Sequence, residues 1–138
     1  MLFIDASSTM IEQVQNKIIN NKIDNAKAIC FNFEDEEEFD TKVNFIIISQ
    51  TLLHIANIEL ILSRLFNVLN KDGQLIIVDF DKNKDITSNE VHNGFEQYEL
   101  GKILTDIGYT SIDSKTFYHG KNMFMGKDAS LFILECKR

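Results

Sequence analysis

The chain has 138 residues, a length that fits one domain, and we expect that domain to span residues 1–138. A composition of 44% hydrophobic and 25% charged residues is typical of a globular protein, and no apolar run approaches the ~18 residues that cross a bilayer. The net charge of -7 repels polyphosphate, so nucleic acid is not an expected partner. Without a spanning run, a membrane is not expected either. The N-terminus lacks a secretion signal pattern, which predicts a cytoplasmic protein.

The chain begins with a strand pattern followed by a helix pattern. A strand is predicted at residues 2–5, and apolar residues at helical spacing predict an amphipathic helix over residues 8–21. Ser7 or Ser8 is suited to cap this helix. A β-rich run follows at residues 26–33.

The middle of the chain repeats this alternation. Residues 43–50 are continuously apolar, which is typical of a strand covered on both faces. A helix is predicted over residues 55–69, and Gly73 is expected to close it in the left-handed conformation. The next strand is predicted at residues 74–81. The alternation of strands and helices to this point indicates a parallel sheet.

The pattern changes in the last third of the chain. A polar stretch at residues 81–93 leads to a helix predicted at about residues 96–107. Two strand patterns then follow at residues 110–120 and 129–138, with a loop and no helical pattern between them. Such a pair is expected to be antiparallel.

The acidic residues and cysteines show no metal-ligand spacing. Cys30 and Cys136 lie in apolar strand-like segments without a CxxC or Cys/His pattern, so we interpret both as reduced core thiols. We assign Asp79, Asp81 and the acidic run at residues 34–40 to the solvated surface. No metal site is expected.

Five segments, in their order and spacing, resemble the class I S-adenosylmethionine-dependent methyltransferases. The resemblance covers nearly the whole chain and rests on LFIDASSTM, FNFED, VNFIIISQTLLHI, LFNVLNKDGQLIIVDFD and HNGF, followed by a helix and IGYTSI. It implies an α/β fold: an incomplete Rossmann-like methyltransferase sheet, mostly parallel, with a C-terminal antiparallel hairpin. Residues 2–5 match the family's second strand, so the first strand and its glycine-rich loop have no counterpart. In agreement, no glycine precedes Gly73.

The resemblance also implies residues that bind S-adenosylmethionine. Asp5 would accept hydrogen bonds from both ribose hydroxyls, although an acid here is also suited to serve the N-terminus of the following helix. Ala6 and Met10 would flank adenine, or Met10 would be plain core. Asn32 would accept from the adenine amino group or satisfy loop amides. Phe33 would offer its amide and ring to adenine, or fill core.

The methyl group and substrate would meet at Ser49 and Gln50, which end the strand predicted at residues 43–50. His54 follows shortly after and would either take a proton from the substrate as the catalytic residue or serve packing. In-line methyl transfer needs only positioning, so the histidine is helpful rather than required. His92 and His119 would lie at the substrate rim.

These features predict a methyltransferase fragment that acts on a small molecule and is inactive as this chain alone. The alternative is a non-catalytic methyltransferase-like module for protein interaction. A phosphoacceptor signalling domain would need an acidic pair at the first strand and a lysine ending a late strand, neither of which is present. Because the missing strand would leave unpaired strand edges, we expect a homodimer through this gap or closure of the gap.

Overall fold

The computed structural model describes residues 1–35 and 38–138. Glu36 and Glu37, in the middle of the predicted acidic loop, lie outside the described residues. The acids of that loop that the structure does describe are exposed, as predicted. No helix in the described ranges has the length and apolarity to cross a membrane.

The first compact unit, Met1–Phe39, is a strand, a helix and a strand. Its elements are β1 (Leu2–Asp5), α1 (Ser8–Asn20) and β2 (Lys27–Cys30). Ser7 is the N-cap of α1, because its Oγ accepts a hydrogen bond from the amide of Met10 at 3.3 Å. The two strands are parallel and form a two-stranded sheet.

The second compact unit, Asp40–Arg138, contains the remaining elements. They are β3 (Val43–Ser49), a 3-10 helix (Leu52–His54), α2 (Ile58–Val68), β4 (Leu69–Phe80), α3 (Gln97–Ile107), β5 (Thr110–Phe124) and β6 (Lys127–Lys137). The strands form one sheet in the order β3-β4-β6-β5. The β3 strand is parallel to β4, whereas β6 is antiparallel to both β4 and β5. The predicted incomplete α/β sheet with its terminal hairpin is confirmed.

Helices cover one face of the four-stranded sheet. Leu75, Ile77 and Asp79 on alternate positions of β4 are buried, while Ile76 and Val78 between them are half-buried. Helix α2 packs against β4, α3 packs against β5, and the two helices pack against each other. This face is therefore the core of the second unit.

The β3 strand is not covered on both faces, so that prediction is wrong. Phe45 is 48% exposed and Ile47 is 60% exposed, on the same side of the strand. Within the described residues β3 hydrogen-bonds to β4 alone, so it is an edge strand of its sheet. A continuous apolar sequence shows that a strand tends to be buried, but it does not supply the elements that would bury it.

The junction between α2 and β4 also differs from the prediction. The helix begins later than expected because Asn57 caps it, accepting from the amide of Leu60 at 3.0 Å. Asp72, with a φ of 63°, adopts the left-handed conformation that was expected of Gly73. A Cβ at Gly73 would lie 2.8 Å from the carbonyl oxygen of Asn70, so this glycine permits a close backbone approach instead.

The two cysteines have different environments. Cys136 is buried, as predicted, and burial raises the pKa of its thiol to about 12. Cys30 is exposed, so its assignment to the core is wrong. It lies at the end of β2, where its Sγ donates to the carbonyl oxygen of Ala6 at 3.4 Å.

Candidate functional site

The first unit brings two of the predicted cofactor residues to one edge of its sheet. Asp5 is the last residue of β1 and pairs with Cys30, the last residue of β2. The amide of Phe31 donates to the carbonyl oxygen of Asp5 at 3.1 Å, and Asn32 follows directly. Because the strands are parallel, Asp5 and Asn32 lie at the same carboxyl edge, where α/β sheets bind their ligands.

Asp5 supports the start of α1 without capping it. Its Oδ1 accepts a hydrogen bond from the amide of Ser7 at 2.8 Å, and Ser7 in turn is the cap. Asp5 is exposed, and its Oδ2 has no partner among the described residues. One carboxylate oxygen therefore fixes the turn into the helix, while the other remains able to accept from a ligand.

Two further residues predicted to contact adenine follow Asp5 in the chain. Ala6 is exposed, and Met10 in the first turn of α1 is 47% exposed. The interpretation of Met10 as core is therefore wrong. An exposed thioether next to a strand end is a surface on which an apolar ring can rest.

Asn32 and Phe33 form part of a turn. The Oδ1 of Asn32 accepts from the amide of Glu34 at 2.9 Å, and its Nδ2 donates to Asp35 at 2.6 Å. These bonds are those of a residue that satisfies loop amides. The ring of Phe33 lies in a cluster with two other phenylalanines, at centroid distances of 4.8 Å to Phe31 and 5.4 Å to Phe39.

In the second unit, β3 ends at Ser49, and Gln50 follows it directly. Gln50 adopts a φ of 48°, and its amide donates to the carbonyl oxygen of Val78 in β4 at 2.8 Å. The hydroxyl of Thr51 donates to the carbonyl oxygen of Ser49 at 3.0 Å. The chain is thus turned sharply at the strand end, and both Ser49 and Gln50 are exposed there.

His54 ends the 3-10 helix that follows this turn. Leu52 and Leu53 of the same helix are buried, whereas His54 is exposed. The buried leucines anchor the segment, and the imidazole is left accessible. This arrangement fits a residue that exchanges a proton with a bound molecule better than one that serves packing.

Asp79 is a feature of this edge that the sequence analysis missed. It is fully buried near the end of β4, so its assignment to the surface is wrong. Its Oδ1 accepts from the amide of Phe80 at 2.9 Å, but its Oδ2 has no hydrogen-bond partner among the described residues. Burial raises the pKa of this carboxyl, and the nearby amides of Phe80 and the 3-10 helix, with the charge of His54, oppose the rise. The period-2 alternation with Leu75 and Ile77 was the signal that could have found it.

His92 ties the polar insert to the 3-10 helix. Its amide donates to the carbonyl oxygen of Leu53 at 2.8 Å, and its Nε2 bonds to the carbonyl oxygen of Ile55 at 3.0 Å. Because a carbonyl only accepts, Nε2 carries the proton. His92 therefore lies next to the segment that carries His54, as a rim residue would.

His119 lies on β5. Its Nδ1 is 2.6 Å from the Oγ of Ser130 on β6, the residue with which it pairs in the strand register. Asp81, which follows β4, lies beside Ser130 on the other side, since its amide donates to the carbonyl oxygen of Ser130 at 2.9 Å. The structure thus groups His119 with Asp81 and Ser130, two residues to which the sequence analysis gave no functional role.

Comparisons with known proteins give one family. Residues 1–127 match the family model described as a methyltransferase domain. A comparison with curated protein sequences gave no match.

Three solved structures show the same fold. One is an S-adenosylmethionine-dependent methyltransferase from Methanosarcina mazei, with a TM-score of 0.74 and 14% identity over 99% of this chain and 81% of that chain. A second, from Aquifex aeolicus, has a TM-score of 0.69 and 19% identity over 99% of this chain and 67% of that chain. A third, phosphoethanolamine N-methyltransferase 2 from Haemonchus contortus, has a TM-score of 0.76 and 11% identity over 99% of this chain and 43% of that chain. At these identities the likeness shows the fold, whereas the match over residues 1–127 shows the family. The chain belongs to the methyltransferase-domain family.

Proposed function

We propose that this protein is an S-adenosylmethionine-dependent methyltransferase that acts on a small molecule by in-line transfer. The observation that carries the proposal is the accessible Oδ2 of Asp5 at the carboxyl edge of the parallel pair β1 and β2. The methyltransferase from H. contortus is described in complex with S-adenosyl-L-methionine, and also with phosphomonomethylethanolamine. These neighbours support this cofactor and a small-molecule acceptor for the present chain.

The first unit would hold the adenosine half of the cofactor. Asp5 is assigned to the ribose hydroxyls, and Ala6 and Met10 to one face of adenine. Asn32 and Phe33 are assigned to its edge and to the aromatic wall beside it. The exposure of Asp5, Ala6 and Met10 supports these roles, because none of the three is used by the core of the unit.

The remaining assignments concern residues that end β3 or lie later in the chain. Ser49 and Gln50 are assigned to the region of the transferred methyl group, and His54 to removal of a proton from the acceptor. His92 and His119 are assigned to the substrate rim. S-adenosylmethionine supplies an electrophilic methyl group when bound, so the protein needs mainly to orient the acceptor.

We propose that the 138-residue chain, as a cytoplasmic protein, binds the cofactor weakly and does not turn over by itself. The family's glycine-rich loop holds the methionyl half, and no glycine precedes Gly73 in this sequence. Loss of orientation forfeits much of the ~7 to 11 kcal/mol that positioning supplies. The present chain would therefore be a methyltransferase fragment that lacks the contacts this loop makes to the methionyl half.

The exposed strand β3 favours association between two copies of the chain. The strand VNFIIIS carries no charge although the chain has a net charge of -7, and Phe45 and Ile47 are exposed on it. Two copies can therefore pair along this edge without placing like charges opposite each other. We propose a homodimer formed by β3 of each copy. The same edge supports the alternative function, a non-catalytic interaction module.

The test is to place a glycine-rich strand, loop and helix ahead of Leu2 and measure binding and methyl transfer. We expect the affinity for S-adenosylmethionine to rise from millimolar by at least about 100-fold, which corresponds to roughly 2.7 kcal/mol. The matched control carries valine in place of the loop glycines and should stay at the weak affinity. An unchanged affinity with the glycine loop would overturn the proposal and favour the interaction module.

A further inference from the structure

A polar cleft lies between the segment that follows β4 and the β5-β6 hairpin. Its volume is about 460 Å³, and residues from all three strand regions line it, among them Asp81, Lys82, His119, Lys121 and Ser130. Asp81, Ser130 and His119 form a row across neighbouring positions. The Asp81 amide bonds to the Ser130 carbonyl oxygen, and Ser130 pairs with His119 in register.

The carboxylate of Asp81 is held in place by neutral groups. Its Oδ1 accepts from Nε2 of Gln97 at 2.6 Å, and its Oδ2 accepts from Oγ1 of Thr116 at 2.7 Å. The same amide nitrogen of Gln97 also donates to Thr116 at 2.9 Å, which closes a small network. Each carboxylate oxygen retains acceptor capacity after these bonds. The group is therefore oriented before any ligand arrives.

No cation in the described residues forms an ion pair with Asp81. Its two hydrogen-bonding side chains, Gln97 and Thr116, are uncharged. A half-buried carboxylate without a counterion favours a positively charged ligand group, because charge-assisted hydrogen bonds are about twice as strong as neutral ones. This points to an ammonium group as the partner of Asp81.

The remainder of the cleft carries charge of both signs. Lys82, Lys121 and Asp128 line it together with Asp81, and one oxygen of Asp128 accepts from the amide of Asn122 at 3.2 Å. Lys82 and Lys121 are the cationic groups that an anionic ligand end can approach. The Nδ1 of His119 is occupied by Ser130 at 2.6 Å, while its Nε2 has no partner among the described residues. This nitrogen is able to bond to a polar ligand group between the two charged ends.

We propose that this cleft binds a small zwitterion, with its ammonium group against Asp81 and its anionic group toward Lys82 and Lys121. Binding in the cleft does not depend on the proposed function, since every residue named belongs to the second unit and none is assigned to the cofactor.

The test is an NMR titration of the ¹⁵N-labelled chain with γ-aminobutyrate, followed at the amides that line the cleft. n-Butylamine and butyrate carry one charged end each and are the matched probes. We expect γ-aminobutyrate to bind at least about tenfold more tightly than either probe, which corresponds to roughly 1.4 kcal/mol. Neither cofactor nor turnover is needed, so a failure here and a failure of the proposed function are distinguishable.

Variants assign the two ends of the ligand. Asp81→Asn should weaken γ-aminobutyrate and n-butylamine at least about tenfold and leave butyrate unchanged. Asp113→Asn, at an exposed carboxylate on β5 outside the cleft, is the control and should bind like the wild type. If Asp81→Asn fails to fold, Lys121→Gln replaces it and should weaken γ-aminobutyrate and butyrate but not n-butylamine. Equal binding of all three probes, or wild-type affinity in a folded Asp81→Asn or Lys121→Gln chain, would overturn the inference.

Discussion

Substitution of Asp5 separates its support of α1 from its proposed role in binding ribose. In Asp5→Asn, the amide oxygen can still accept from the amide of Ser7, but the Nδ2 group that replaces Oδ2 cannot accept from a hydroxyl. We therefore expect the free energy of unfolding to change by less than about 0.5 kcal/mol, as for an ordinary surface substitution. The affinity for S-adenosylmethionine should fall by about 1.5–3 kcal/mol, the usual contribution of a hydrogen bond to a charged group.

Two companion variants complete the experiment. Asp5→Ala removes both oxygens, so it should lose the same affinity and also about 1 kcal/mol of stability from the bond to Ser7. Ser7→Ala removes the cap that Met10 uses, which should cost about 1 kcal/mol of stability without affecting affinity. Urea unfolding reports stability, and a ligand titration followed by NMR at the amide of Ala6 reports affinity. Wild-type affinity in Asp5→Asn would refute the ribose assignment and leave Asp5 as a helix-supporting residue.

Three further predictions follow from burial and charge. Burial raises the folded-state pKa of Asp79 above 3.8, so the folded chain binds the carboxyl proton more tightly than the unfolded chain does. The free energy of unfolding of the wild type should therefore fall as pH rises from about 3.8 through that raised pKa. Asp79→Asn lacks this dependence, so urea unfolding should show that its free energy of unfolding increases relative to the wild type as pH rises above about 4. A constant difference would mean that the carboxyl is not perturbed. Tyr109→Phe removes a buried hydrogen bond of 3.0 Å to the carbonyl oxygen of Leu62, so the free energy of unfolding should fall by about 0.5–1.5 kcal/mol. The control is Tyr118→Phe, at a position that is 51% exposed, and it should lower the free energy of unfolding by less than about 0.5 kcal/mol. Phe45→Lys places a charge on the exposed edge strand, so sedimentation should show a wild-type dimer and a variant monomer; a monomeric wild type would contradict the proposed pairing.

The order and type of the elements were predictable because each depends on local periodicity. The amphipathic spacing of α1 and the two strand patterns of the hairpin were visible without neighbours. Ser7, the observed N-cap of α1, was one of the two residues predicted to cap this helix, because short polar side chains before a helix accept hydrogen bonds from its first amides. These features are set by residues close together in the chain.

The wrong predictions concern residues whose environment is set by parts of the chain that are distant in sequence. The exposure of Phe45 depends on which elements lie beside β3, and the exposure of Cys30 depends on what covers the end of β2. The left-handed residue fell at Asp72 rather than Gly73 because a backbone contact, not the dihedral angle, requires the glycine. In the candidate site, the pairing of His119 with Ser130 required the hairpin register.

The central claim is that this chain carries the adenosine half of an S-adenosylmethionine site. Titration calorimetry of the 138-residue chain with S-adenosylmethionine and, separately, with adenosine tests it most directly. We predict that both ligands bind with dissociation constants of about 1 mM or weaker, near -4 kcal/mol, and that the methionyl half increases the affinity by less than about threefold. Micromolar binding of S-adenosylmethionine, at least about 100-fold tighter than adenosine, would contradict it, because the chain would then hold the methionyl half without a glycine-rich loop.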